Sequence, residues 1–322
     1  MGRLQERGHL GGRPSSRGAC RLKRLLVTGG SGLVGGSVCA LAAGSWQVHG
    51  TYHRNKPSLF GVDWRQLDIT NASSVEALTE AVKPHVIIHT AAIADIDACE
   101  KDPETAWRSN VAGTANVARA AEAAGSRLIH MSTSNVFDGE KGDYLESDPV
   151  AGTSVYSKTK IASEAEALAC RNTVIIRTSL VLGFPKTGGR SFLSTAVRTL
   201  EDGRTLPLPA NEIRSPIDVW TISSSMMELG ELSETGIFHI AGIEKLSRYE
   251  MGLKIADKTG CDHSLVVPVT ETPPDRAPRP RDSSLDTSKA RAVLRTSLPD
   301  CSLAIDRAFW WAERRPKGGS RA

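Results

Sequence analysis

Arg24-Leu25-Leu26-Val27-Thr28-Gly29-Gly30-Ser31-Gly32-Leu33-Val34-Gly35 is the stretch that decides the fold. An apolar run with strand character (Arg24 to Thr28) meets glycines directly, and a small-residue segment, Gly35 to Ala43, continues with helical spacing. Gly30, Gly32 and Gly35 satisfy Gly-x-Gly-x-x-Gly in a strand–turn–helix setting. One glycine permits the tight turn, one lets the backbone touch a pyrophosphate, and one allows close helix–sheet packing. The amides from Gly29 through Ser31, Leu33 and Val34 to Gly35 then open a helix whose start faces phosphate. A plain structural turn is the alternative, and the position at the head of a strand–helix alternation argues against it.

Working outward, the alternation continues. Strands are predicted at Gln47 to Tyr52, His85 to His89, Arg127 to Met131 and Thr173 to Arg177. Helices are predicted at Ser73 to Val82 (capped by Ser73 or Ser74), Glu104 to Ala124 (stopped by Gly125) and Val155 to Ala169. Strands alternating with helices imply an α/β fold with a doubly wound parallel sheet, the Rossmann arrangement. After Gly183 proline and glycine become frequent, and helices at Ser191 to Glu201, Thr221 to Leu229, 248–260 and 300–313 are separated by irregular chain, including a proline-rich loop at 268–282. The expected division is a dinucleotide-binding domain over 23–182 and a smaller, discontinuous substrate lobe over 183–313. Residues 236–242 are expected to return to the sheet as one more strand.

Charge bounds the partners. Residues 1–24 hold seven basic groups against the single acid Glu6, so the total of +4 leaves the remaining chain at −2. A mildly acidic body argues against nucleic acid as a partner. The basic ends, 1–22 and 314–322, read as disordered extensions. The first is also rich enough in arginine for an organellar transit peptide, although it lacks the usual apolar stripe; otherwise a cytoplasmic protein is expected. No apolar run approaches the length of a membrane span. Six cysteines scattered without Cys-x-x-Cys or paired histidines suggest neither a metal site nor a disulfide framework, but reduced, mostly buried thiols.

Sites specific for NAD place an acid about twenty residues beyond the glycines, on the ribose. Here Thr51-Tyr52-His53-Arg54-Asn55-Lys56 has no acid before Asp63. Arg54, with help from His53 or Lys56, suits a 2′-phosphate, which favours NADP(H) over NAD(H). Further on, Tyr156 and Lys160 stand four residues apart at a predicted helix start, on one face. A phenol titrates near pH ~10, and an adjacent ammonium lowers it toward useful proton exchange with a carbonyl oxygen. Thr133, at a strand end, is the candidate to hold that oxygen. His89 and His130, inside apolar runs, read as structural, and Trp310-Trp311 as the anchor of the last helix.

Thr28-Gly29-x-x-Gly32-x-x-Gly35, Asn110-Val111-Ala112-Gly113-Thr114 and Tyr156-x-x-x-Lys160 resemble the extended short-chain dehydrogenases/reductases. Leu67-Asp68-Ile69-Thr70, Pro84 to Ala92, Ser132-Thr133-Ser134-Asn135-Val136-Phe137-Asp138-Gly139 and Arg279 to Asp286 narrow the resemblance to the dTDP-4-dehydrorhamnose reductase family. The resemblance implies a catalytic set of Thr133, Tyr156 and Lys160, with Lys160 also holding the nicotinamide ribose. It places Asp68 and Ile69 beside the adenine and Ala91 and Ala92 along the cofactor, with Asn110 in support. Ser134, Asn135, Phe137, Arg214 and Arg279 fall where the family meets its substrate. It implies NADPH-dependent reduction of a keto-sugar nucleotide, and a homodimer through the helices at 104–124 and 155–169. The family usually carries Thr-Asp-Tyr before Val-Phe-Asp-Gly, and an Asp-Gln segment before a Pro-Thr pair. This chain has Ser134-Asn135, and Ala210 to Ile217 takes the place of the second segment. Two other readings therefore stay open: a sugar-nucleotide epimerase, and a cofactor-binding regulatory subunit similar to the beta subunit of methionine adenosyltransferase.

Overall fold

The computed structural model describes residues 22–271 and 276–314. The expected disorder of the two basic ends concerns residues that lie outside this range, Leu22 and Arg314 apart.

Strands β1 (Arg24–Thr28), β2 (Gln47–Tyr52), β3 (Val62–Gln66), β4 (Val86–His89), β5 (Arg127–Thr133) and β6 (Thr173–Thr178) form one parallel sheet. A seventh strand, Gly236–His239, pairs with β6, so the order runs from it through β6, β5, β4, β1 and β2 to β3. The direction of winding reverses between β1 and β4, which opens a crevice at the carboxyl ends of those two strands. Register aligns the strand ends there: Thr28 stands opposite His89, His89 opposite His130, and Thr133 opposite Thr178.

Six helices flank this part of the sheet: α1 (Leu33–Ala42), α2 (Ala72–Val82), α3 (Ile96–Lys101), α4 (Pro103–Trp107), α5 (Gly113–Ala124) and α6 (Val155–Ala167). Alternate strand residues feed opposite layers. Leu25, Val27, Ile88 and Ile129 pack with α1 and the helix Val219–Glu231. Leu26, Ile87, Leu128 and Ile175 pack with Val75 of α2 and Val117 and Ala121 of α5. Both faces are covered, which is why β4 and β6 are buried at every residue. A separate apolar cluster, including Leu193, Leu206, Met251 and Ile305, centres the later chain.

Several expectations shift in detail. The cap of α2 is Asn71, whose side chain accepts from Ser74 N at 3.0 Å, rather than Ser73 or Ser74. The long helix expected over 104–124 is interrupted: α4 is capped by Asp102, and a π-helical turn, Arg108–Ala112, precedes α5. Gly125 ends α5 at φ +65°, as its position past the last turn requires. β3 was not expected at all. Its Val-Asp-Trp-Arg-Gln pattern alternates on a half-exposed sheet edge, which lacks the continuous apolar run that marks the inner strands.

Candidate active site

The crevice between β1 and β4 opens into a cleft of about 790 Å³. Of the residues expected to hold a dinucleotide, Gly29, Ser31, Gly32, His53, Arg54, Asp68, Ile69, Ala91 and Ala92 line it. The turn glycine is Gly29, not Gly30. Its φ is +72°, and an added Cβ would lie 2.6 Å from Ala91 N. Gly35 is equally constrained, since a Cβ there would sit 2.4 Å from Gly29 O. Gly30 instead faces the Trp64 ring and Thr51 O. Val34 belongs to the buried core and Leu33 packs against it, so their side chains serve packing. Asp68 accepts from Thr70 N at 2.9 Å and Thr70 Oγ1 at 2.8 Å, bonds that hold its carboxyl below the ordinary range.

Two parts of this cleft escaped the sequence reading. Arg108 and Ser109 enter from the π-helical turn, and Thr187, Gly188 and Gly189 enter from the later chain. Thr187 Oγ1 donates to Ser31 O at 2.8 Å, and its methyl group fills space that a side chain at position 36 would need. The Gly188-Gly189 pair, at φ +86° and +97°, was the available signal.

Next to the cleft, Ser154 caps α6 by accepting from Ser157 N at 3.1 Å and so fixes the helix start that carries Tyr156 and Lys160. Both side chains are buried. Burial pushes the Tyr156 phenol up to about 12, while the hydroxyl of Thr133 pulls the other way. Burial also brings Lys160 down to about 8, opposed by Glu164. The expected lowering of the phenol by the ammonium is absent. Lys160 Nζ donates instead to Met131 O at 2.8 Å and lies 3.4 Å from His130 Nε2. Asn110 supports the site from below: its amide donates to Ile93 O (3.0 Å) and Thr159 Oγ1 (3.1 Å), and its oxygen accepts from Ile93 N (2.8 Å).

A cavity of about 280 Å³ adjoins Tyr156 and is lined by Thr133, Ser134, Asn135, Arg214 and Arg279, together with the unforeseen Glu212 and Arg248. Phe137 lies elsewhere. It is 1% exposed and stacks on Tyr144 with centroids 4.2 Å apart, because the short 3-10 turn Ser134–Val136 redirects the chain into the core. Glu212 gathers three guanidinium groups: Arg276 at 2.5 Å, Arg214 at 3.4 Å and Arg248 at 3.8 Å. Arg279 grips Asp97 with two bonds, 2.7 and 3.1 Å, which take that carboxyl down to about 2. Burial lowers Arg214 to about 10, opposed by Glu212. Arg214, Arg248 and Arg276 thus share Glu212, Arg279 holds Asp97, and the charge of Asp282 also reaches Arg214. Among the described residues there is no cluster of His, Cys, Asp and Glu suited to a metal ion, and no helix long and apolar enough to cross a membrane.

A doubly wound sheet with a glycine loop at its switch point is the fold of the NAD(P)-dependent oxidoreductases of the short-chain dehydrogenase/reductase type, and this chain is one of them. More narrowly, the chain belongs to the RmlD substrate binding domain family, which matches residues 23–313. It is 31% identical over 306 residues to a dTDP-4-dehydrorhamnose reductase of Aggregatibacter actinomycetemcomitans, covering 91% of this chain and 100% of that one. It is also 31% identical over 297 residues to methionine adenosyltransferase 2 subunit beta of Xenopus tropicalis, covering 89% and 87%. A crystal structure of dTDP-4-dehydrorhamnose reductase from Bacillus anthracis in complex with NADP superposes with a TM-score of 0.79 at 26% identity, covering 91% of this chain and 99% of that one.

Proposed function

We propose that this protein reduces a keto-sugar nucleotide with NADPH, dTDP-4-dehydrorhamnose or a close relative being the substrate. The observation that carries the reading is the cavity in which Thr133 and Tyr156 share walls with Arg214, Arg248 and Arg279. A sugar carbonyl at the phenol then has its anionic diphosphate within reach of the guanidinium groups of Arg214, Arg248 and Arg279.

The glycine loop fits a dinucleotide, since any side chain at Gly29 or Gly35 would meet backbone and close the approach. Bound NADPH supplies the hydride. Arg54 pairs with the 2′-phosphate, and the loop amides at the start of α1 meet the pyrophosphate. Thr133 donates a hydrogen bond to the carbonyl oxygen, and Tyr156 gives it a proton. A phenol pushed up to about 12 is fully protonated at neutral pH, the state a reduction needs. Lys160, whose ammonium donates to Met131 O, would offset the phenolate left behind and would hold the nicotinamide ribose. Residues 183–313 serve as the substrate lobe, the protein works in the cytoplasm, and α5 and α6 form a two-fold interface in a homodimer.

The test is a titration with NADPH and NADH, followed by dTDP-4-dehydrorhamnose with absorbance read at the nicotinamide band. The reductase reading requires NADPH oxidation that disappears in Tyr156→Phe. Binding of NADPH without oxidation of it by any of a panel of carbonyl substrates would move the chain to a second reading, a regulatory subunit. The relative named as subunit beta of methionine adenosyltransferase matches as closely as the reductase does, which gives that reading its footing.

A further inference from the structure

Arg279 lines the cavity beside Tyr156, and its hydrogen bonds leave one edge of the guanidinium open. Nη1 donates to Asp97 Oδ1 at 3.1 Å and to Ala277 O at 2.7 Å, while Nη2 donates once, to Asp97 Oδ2 at 2.7 Å. Of the five N–H groups that a guanidinium carries, the Nε hydrogen and the second hydrogen on Nη2 have no partner among the described residues. Those hydrogens lie parallel on one edge, the arrangement that takes an oxyanion with two bonds. The neighbouring guanidinium groups are engaged differently. Arg214 gives both Nη1 hydrogens to carbonyls, Ile213 O at 2.7 Å and Pro280 O at 3.1 Å, and Arg248 lies over the Phe192 ring, 4.7 Å from its centroid.

Asp97 aims that open edge, and Asp97 is itself held against the start of α6. It stands in the first turn of α3, whose cap Asp95 accepts from Ala98 N at 3.0 Å. Two residues on, Cys99 is buried in one apolar cluster with Tyr156. Glu100, next along, accepts at 2.6 Å from the backbone N of Val155, the residue before Tyr156. In the other direction Asp97 also accepts from Ala277 N at 2.9 Å, so it grips the segment around Arg279 at both backbone and side chain. The flanks of that segment are tied elsewhere: Arg276 to Glu212 at 2.5 Å, Arg281 O to Ile213 N at 2.7 Å and Asp282 N to Gly139 O at 2.9 Å. The link from Arg279 to the helices around Tyr156 therefore runs through Asp97. A plain surface ion pair contributes little, but here the arginine side chain is only 14% exposed and the pairing is bidentate.

We propose that Asp97 is a positioning residue for substrate: it turns the open edge of Arg279 toward the cavity and sets its distance from Tyr156. An oxyanion seated on that edge then brings the carbonyl of the same molecule to the phenol. The proposal rests on reading the cavity as a sugar-nucleotide site, in which case the oxyanion is a phosphate of the diphosphate. Asp97 does not touch it. Carboxylate and phosphate occupy different edges of one guanidinium, and the first fixes where the second can sit.

The test is a double-mutant cycle on binding, read by calorimetry with dTDP and with inorganic pyrophosphate. The full chain is first saturated with NADP+, so that the nucleotide cleft is filled. Arg279→Ala should weaken the probe about 30-fold, and Asp97→Asn, which keeps the shape and one acceptor, about tenfold. The double variant should bind no more weakly than Arg279→Ala alone, with NADP+ affinity held within about twofold throughout. Additive losses would overturn the proposal, because Asp97 would then act without Arg279. An unchanged or tighter complex in Asp97→Asn would overturn it as well, the tighter one making Asp97 a competitor of the phosphate. So would a wild-type protein that binds neither probe. In turnover, Asp97→Asn should raise KM for the keto-sugar nucleotide by the same factor and leave kcat in place, since the contact serves ground state and transition state alike. A fall in kcat at constant KM would make Asp97 a support of Tyr156 instead and sink the proposal. The expected cycle without turnover of any carbonyl leaves it standing and removes only the reductase reading.

Discussion

In the nucleotide cleft the tight contacts are between backbone and backbone: a Cβ at Gly29 would lie 2.6 Å from Ala91 N. In the cavity beside Tyr156 they are between the ends of long side chains, with Arg276 2.5 Å and Arg214 3.4 Å from Glu212. The first site is rigid and made by the absence of side chains. The second is made by charges that hold one another, and its shape depends on every member staying in place. In the proposed reading the first holds the cofactor and the second selects the substrate.

That contrast can be broken in order of effect. Tyr156→Phe, where the two sites meet, removes the proton donor and should cost about 10³-fold in single-turnover rate while NADPH affinity stays within twofold. Gly29→Ala forces a positive-φ residue against backbone and should destabilise by about 3 kcal/mol in denaturant titration. Gly125→Ala is its control: φ is +65° but nothing lies within 4 Å, so the loss should be about 1 kcal/mol. Equal losses would mean that the close approach to Ala91 is not what constrains the loop. Arg214→Ala takes one of three partners from buried Glu212 and should lower kcat/KM by about 30-fold, roughly 2 kcal/mol, with no change in NADPH Kd. A matching fall in cofactor affinity would show that the two sites are not separable. Arg54→Ala should weaken NADPH about tenfold, near 1.4 kcal/mol, and leave NADH unchanged. An equal loss for both cofactors would remove Arg54 from 2′-phosphate recognition.

The same contrast explains what could be read before any coordinates. The nucleotide loop is local: eight consecutive residues carry the turn, the approach and the helix start, so their spacing reveals them. Tyr156 and Lys160 are legible for the same reason, four apart on one helix. The charge cluster is assembled from Asp97, Glu212, Arg248, Arg276 and Arg279, brought together from chain segments up to 182 positions apart, as in the Arg279–Asp97 pair. No spacing rule links them. Phe137 shows the opposite error. It neighbours Ser134 and Asn135 in sequence, yet a three-residue turn is enough to send it into the core while they face the cavity. β3 was missed because an edge strand with Asp63 and Arg65 on its open side does not look like the strands buried beside it.

Lys186 and Thr187 are adjacent in the chain and tied to opposite ends of it. Lys186 Nζ donates to the carbonyls of Trp311, Ala312 and Arg314, closing the last helix, while Thr187 holds Ser31 in the nucleotide loop. For anyone handling this protein, the end of the last helix is therefore a poor choice for neutral ground. A purification tag or fluorescent fusion joined beyond Arg314 starts close to a carbonyl that Lys186 holds, one residue from the Thr187 contact to the glycine turn, so cofactor affinities should be measured after the tag is cut off. By the same token, a dye placed there is well sited to sense whether that turn is occupied.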